Sequence, residues 1–260
     1  LIPDTHAHLD LVELETGEVV SAAEGAGVSP IITIGINLAS SIDAVRHSES
    51  FDSVYAAVGI HPNDTGNMTA EDIDRLEEIA RNGARVVAIG ETGLDYYRDR
   101  SPAERQKDAF RAHIRLARRL GMALIVHDRQ AHDDTLEILK EEKADETRVV
   151  MHCFSGDTDM LREVLGRGYF VSFAGPITFK KSQAARKVAS LVPDDRLLAE
   201  TDAPFLSPEP YRGKPNVPDR VRLVANELSR IRGVTTDEMA NLLAANTETA
   251  FGIETREKRR

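Results

Sequence analysis

The chain has 260 residues, 41% hydrophobic and 29% charged. That is too long for one ordinary sandwich and about the size of a single α/β barrel, with a globular balance that excludes global disorder. The 33 basic and 43 acidic residues give a formal net charge of −10, the wrong sign for a protein that coats duplex DNA by neutralising phosphates, so a nucleic-acid substrate would have to be held locally by bound cations and a few Arg or Lys side chains.

Cys153 is the single cysteine, which excludes an intrachain disulfide and a thiolate zinc cluster and suits a reducing, cytoplasmic setting. No apolar run approaches the ~20 residues needed to cross a bilayer, so the protein reads as soluble, with no membrane partner.

In chain order, residues 1–5 open as a strand, and short apolar runs follow at 31–36, 54–60, 86–89, 123–126, 149–151, 170–173 and 197–199. Most are β-branched and unalternating with turn residues beside them, as strands buried on both faces are. Helical stretches lie between them. Thr69 before Glu71, Asp72 and the apolar series Ile73, Leu76, Ile79 and Ala80 predicts a capped amphipathic helix. Ser101-Pro102 before Phe110, Ile114 and Leu116 predicts another, with proline at the first helical position. The alternation argues for a parallel sheet. About eight units suit a closed (β/α)8 barrel spanning residues 1–260 as one domain; an open doubly wound sheet is the alternative. The proline-rich stretch 203–218 predicts a long ordered loop after the last strand, more often functional than a plain connector. The polar end, 254–260, predicts fraying.

The chemistry-bearing residues fall at strand ends. His6 and His8 are two apart in the first strand, so both imidazoles face one way and suit zinc, manganese or a similar ion. Alone this pair is weak. The pattern then recurs: the run at 86–89 leads to Glu91, that at 123–126 to His127, that at 149–151 to His152 and that at 197–199 to Asp202. In a parallel barrel all strand C-termini lie on one rim, where active sites are built. Taken singly, each is as readily a surface carboxylate, a satisfied histidine or a helix cap; together they predict convergence. His47, His113 and His132 sit in helical stretches and read as surface groups or groups behind a site. Cys153, with no activating basic pair, reads as a small buried side chain rather than a nucleophile.

At this point the chain resembles a family. Asp4-Thr5-His6-Ala7-His8-Leu9-Asp10, Gly59-Ile60-His61-Pro62, Gly90-Glu91-Thr92-Gly93-Leu94-Asp95-Tyr96, Val126-His127-Asp128-Arg129, His152-Cys153-Phe154-Ser155-Gly156, Glu200-Thr201-Asp202-Ala203-Pro204-Phe205 and Arg212-Gly213-Lys214-Pro215-Asn216 look like the successive signatures of TatD-type metal-dependent deoxyribonucleases. They run in family order to Asn246 and the Phe251-Gly252 ending.

The resemblance implies an amidohydrolase-class barrel that hydrolyses phosphodiesters with two divalent ions, magnesium, manganese or zinc, and acts as a 3′→5′ exonuclease on single-stranded DNA, in some members on RNA. It implies that His6, His8, Glu91 and Asp202 hold one ion and that Glu91, His127 and His152 hold the other. Glu91 would bridge, and Asp202 would also accept the proton of the attacking water. Where the wider class often carries a modified lysine, this chain has Glu91, as TatD-type members do, which argues against a carbamate-bridged amidase.

His61, on the same rim, suits a substrate-phosphate or leaving-group role. Glu200, two residues before Asp202 and so expected on the same strand face, suits a partner that orients a ligand. Arg129, Arg212 and Lys214 lie in rim loops and are candidate phosphate contacts, with solvated charge the competing reading. The expected partner is a DNA end or small nucleic-acid substrate, and the expected state a monomer. Two other functions fit the same fold: an ester or amide hydrolase such as a deacylase of charged tRNA, and a binding protein on a retained barrel.

Overall fold

A computed structural model describes residues 1–98 and 100–254; the tail expected to fray lies, beyond Glu254, outside the described residues. The eight strands are β1 (Ile2–Ala7), β2 (Val28–Ile34), β3 (Val54–Val58), β4 (Val86–Asp95), β5 (Ala123–Arg129), β6 (Val149–Met151), β7 (Phe170–Phe173) and β8 (Leu197–Ala199). They pair in sequence order, each parallel to the next. A parallel bridge between Ala7 and Ala203 joins the ends. It is reinforced by His8 N donating to Ala203 O at 2.7 Å and Asp202 N donating to His6 O at 2.8 Å. This closure decides for the (β/α)8 barrel over the open sheet.

The outer layer comprises α1 (Thr16–Gly25), α2 (Leu38–Ser50), α3 (Ala70–Asn82), α4 (Ala103–Leu120), α5 (His132–Glu141), α6 (Thr158–Gly166), α7 (Gln183–Leu191), α8 (Val221–Arg232) and α9 (Thr236–Phe251). Thr69 caps α3, its N–H donating to Asp72 Oδ2 at 2.8 Å. Pro102 stands one residue earlier than expected, in the cap position before α4 rather than as its first residue, where its fixed φ is equally at home and its missing N–H costs nothing.

Side-chain alternation along the strands separates two cores. Ile31, Ala56, Val58, Leu124, Val126, Val149, Val171 and Leu197 pack with helical residues such as Leu76, Phe110, Ile114, Leu139 and Leu228. Ile32, Ile34, Ala57, Ile125, Val150, Phe170 and Leu198 fill the barrel itself, together with Phe251 from the end of α9.

One strand differs from expectation in a way that builds the site. β4 does not stop before Glu91 but runs on to Asp95, and its register against β5 shifts between Ile89 and Thr92. Gly90 and Gly93 take φ of +135° and +137° there, and a Cβ on Gly93 would lie 2.0 Å from His127 O. Only glycine allows that approach and that backbone. The shifted strand carries Glu91 into the mouth of the barrel.

Candidate metal centre

Glu91 stands at the centre of the C-terminal rim. Its Oε2 lies 3.4 Å from His6 Nε2 and 3.8 Å from His8 Nε2, and Asp202 Oδ1 faces the same two nitrogens at 3.8 and 3.4 Å. Its other oxygen, Oε1, lies 2.6 Å from His127 Nδ1, 3.0 Å from His152 Nε2 and 3.7 Å from His61 Nε2. The His6 and His152 rings stack with centres 3.9 Å apart. All six residues named from the strand ends thus meet: the four histidines face the two oxygens of the Glu91 carboxylate, and Asp202 faces His6 and His8.

The electrostatics ask for positive charge in this space. Burial opposes ionisation of Glu91, yet His152, His61 and His127 outweigh it and hold its carboxyl well below the usual range. Burial likewise opposes the charge of Asp202, and the bond from His8 and the nearby His6 and His152 lower its pKa. Burial, with His152 beside it, lowers the pKa of His6. Neither ring nitrogen of His6 makes a hydrogen bond among the described residues, although the side chain is fully buried. A buried imidazole lone pair aimed between two carboxylates lacks a partner that a divalent cation would supply.

Behind the cluster stands a supporting set. Glu200 is buried; its Oε1 lies 3.0 Å from His152 Nδ1 and accepts from Cys153 N at 2.8 Å. It therefore orients His152, and it does not share a strand face with Asp202: β8 has ended at Ala199, and Asp202 has φ +56°. Asp95 Oδ2 lies 3.3 Å from His127 Nε2 and accepts from Asn63 Nδ2 at 3.2 Å, while Oδ1 accepts from the N–H groups of Tyr97 and Arg98. Burial works against the charge of Asp95, but His127 and these N–H groups keep its carboxyl below the usual range. Asn63 N donates to His61 Nδ1 at 3.0 Å, so a neutral His61 carries its proton on Nε2, facing the site. Burial pushes the His61 pKa down to about 3.

Asp4 binds Thr201 through N–H and hydroxyl, at 2.8 and 2.6 Å, tying β1 to the segment that carries Asp202. Burial raises its pKa to about 8. Asn216 donates to Thr201 O and Phe205 O and pins the start of the proline-rich loop.

Asp95, Asn63, Asp4 and Asn216 were given no role from the sequence. Asp95 was within reach, since Glu91, Gly93 and Asp95 alternate along one strand. The Asn63 and Asn216 contacts span loops and had no local signal.

The other named residues fall as follows. Arg129 closes β5 with its guanidinium carbon 3.9 Å from the Tyr97 ring centre. Arg212 and Lys214 are exposed in the loop after β8, Arg212 lying 4.3 Å from the Phe179 ring centre. His132 Nδ1 pairs with Asp128 Oδ2 at 2.6 Å, and His47 is half-buried in α2. Cys153 is half-buried, and burial, with Glu200, Asp202 and Glu91 nearby, pushes its thiol pKa well up, the opposite of activation.

Of the two placements expected for His113, the surface one is excluded. His113 is fully buried; its Nε2 accepts from Ile60 N at 3.0 Å and its Nδ1 bonds Ala109 O at 2.7 Å. The charged residues around it in sequence occupy the opposite face of α4.

The profile of the family described as TatD related DNase matches residues 3–252. An uncharacterized metal-dependent hydrolase, YabD of Bacillus subtilis, is 40% identical over 252 residues, covering 96% of this chain and 98% of its own. The 3′-5′ ssDNA/RNA exonuclease TatD of Citrobacter rodentium is 33% identical over 241 residues, 91% of each chain. The crystal structure of YJJV, a TatD homolog from Escherichia coli, superposes with a TM-score of 0.91 at 31% identity, covering 97% of this chain and 98% of that one. With the profile matched along nearly its whole length and relatives this similar, the chain belongs to the TatD related DNase family.

Proposed function

We propose that this protein is a divalent-metal-dependent phosphodiesterase that removes nucleotides singly from the 3′ end of single-stranded DNA, with RNA as a second substrate. The observation that carries the reading is the division of Glu91, whose two oxygens face separate groups of imidazoles. His6, His8, Asp202 and Glu91 Oε2 would hold one ion; Glu91 Oε1, His127 Nδ1 and His152 Nε2 would hold the other. When bound, such a pair lowers the pKa of a water and neutralises charge on phosphoryl oxygens. The exonuclease named among the relatives supports the choice of substrate.

The protein's own groups supply the rest. Asp202, the more exposed of the two central carboxylates at 14% against 4% for Glu91, accepts the proton lost by the attacking water. His61, neutral at physiological pH, offers Nε2–H as a hydrogen-bond donor to a phosphoryl or leaving oxygen, and a donor so oriented is not a ligand through the same nitrogen. Glu200 and Asp95 hold the His152 and His127 rings in place.

The test follows end-labelled single-stranded, duplex and circular DNA, RNA and acylated tRNA with magnesium- or manganese-loaded protein. Stepwise release of mononucleotides from single-stranded 3′ ends is expected. Rapid cutting of closed circles would overturn the end-directed mode. Hydrolysis of acylated tRNA with every nucleic acid left intact would replace the nuclease by an ester hydrolase.

A further inference from the structure

Two large aromatic side chains stand exposed where β4 and β8 lead onto the rim: Tyr97 at 59% and Phe205 at 47%. Neither is loosely held. Phe205 N donates to Asp202 O at 2.8 Å, and the buried side chain of Asn216 donates to Phe205 O at 2.8 Å. Its ring meets that of His8 edge to face, centres 5.9 Å apart.

Tyr97 N donates at 3.0 Å to Asp95 Oδ1, the carboxylate whose other oxygen faces His127. The Arg129 guanidinium lies against its ring. Each half of the centre therefore carries one exposed ring, fixed through residues that touch its own histidines.

Singly exposed rings are ordinary on a protein surface; these two stand out because each is tied to one half of the centre, and rings held in place in advance lose little entropy when a ligand covers them. Every nucleobase has a π-face that can cover an aromatic ring, but only an unpaired base presents it. A net charge of −10 weakens long-range attraction of a polyanion, and base stacking adds grip that does not depend on charge.

We infer that Phe205 and Tyr97 are the stacking platforms for the two bases flanking the scissile phosphodiester, one on each side of the metal centre. Arg129 adds a cation against the Tyr97 platform. The inference rests on the nuclease reading above and sharpens its substrate to a strand whose last bases are unpaired.

The experiment uses manganese-loaded wild type, Phe205→Ala and Tyr97→Ala. The substrates are a 5′-labelled single-stranded DNA and two versions in which the terminal or the penultimate nucleotide lacks its base. Wild type should lose roughly tenfold in kcat/KM for each missing base, the size of one stacking contact. Phe205→Ala should lose that discrimination at one of the two positions and Tyr97→Ala at the other, with Phe205→Trp restoring it. Wild type indifferent to missing bases, or both alanine variants discriminating as wild type does, overturns the assignment. A wild type that releases nothing from any strand overturns the nuclease reading itself and the platforms with it.

Discussion

The His6/His8 half and the His127/His152 half of the centre share Glu91 but receive the rest of their negative charge differently. In the first, Asp202 faces both imidazoles directly, and the Ile34 carbonyl lies 3.2 Å from His8 Nδ1 behind them. In the second, the added carboxylates stand behind the rings, Asp95 on His127 and Glu200 on His152. An imidazole leaning on a carboxylate is fixed in tautomer and rotation and donates more strongly. With two ions bound as proposed, the first half would offer four groups to its ion and the second three, which would leave room for water or substrate. Direct charge suits an anchoring ion, and relayed charge suits one that must keep a position free.

Removing the shared group should have the largest effect. Glu91→Ala is expected to lower kcat by at least about 10³-fold, since it strips both halves at once. Metal content should fall with it while the far-ultraviolet circular dichroism stays that of the barrel. Wild-type turnover after metal is restored would remove Glu91 from the centre.

The two halves should separate under crosswise substitution. Asp95→Asn and Glu200→Gln are expected to weaken one step of a two-step metal isotherm by about 10- to 100-fold. Asp202→Asn should weaken the other step. In the wild type, a limiting chelator should first release the ion of the three-group half. Equal weakening of both steps by Asp95→Asn would erase the distinction.

A smaller effect, on stability rather than ion binding, concerns His113. Burial drives its pKa down to about 4 from an ordinary 6.5, so the unfolded chain binds the extra proton first. Its contribution is complete above pH 6.5 and is lost as pH falls from there through 4, by about 3 kcal/mol in all. His113→Leu should flatten that part of the stability curve in urea unfolding at fixed pH. It should also cost about 2 kcal/mol at neutral pH by leaving Ile60 N–H unpaired. His47→Ala, smallest of all, should shift stability by less than about 0.5 kcal/mol and leave both isotherm steps alone.

Much of this centre was legible in the sequence because a parallel barrel converts position along a strand into position on the rim. Glu91, His127, His152 and Asp202 each follow an apolar run, and His6 and His8 share one face of β1, so strand identity alone places all of them near one rim. The barrel itself was legible for the same reason, in the alternation of strands and helices.

What escaped notice depended on contacts across loops or on burial. Asn63 reaches Asp95 from the turn after β3, and Asn216 reaches back to Thr201 from fifteen residues on. For His113 the sequence leaves surface and behind-the-site placements open because Arg111 and Arg115 flank it; those residues pair outward with Glu141 and Glu142, while the imidazole turns inward. The extension of β4 was hidden because glycines usually end strands; here two of them let one continue.

The place of Phe251 inside the barrel has a consequence for how the chain is made. β1 is synthesised before the other seven strands, but its neighbour across the closure lies near residue 203, and α9 packs on both β1 and β8. The ring that completes the inner core arrives almost at the end of the described chain. A ribosome adding about 5–20 residues per second therefore holds an unclosed sheet for ten seconds or more, with the opening strand unpaired on one edge throughout. Nascent chains stalled between residues 203 and 240 should be far more sensitive to protease than chains extended past 252, although they already contain every residue of the metal centre.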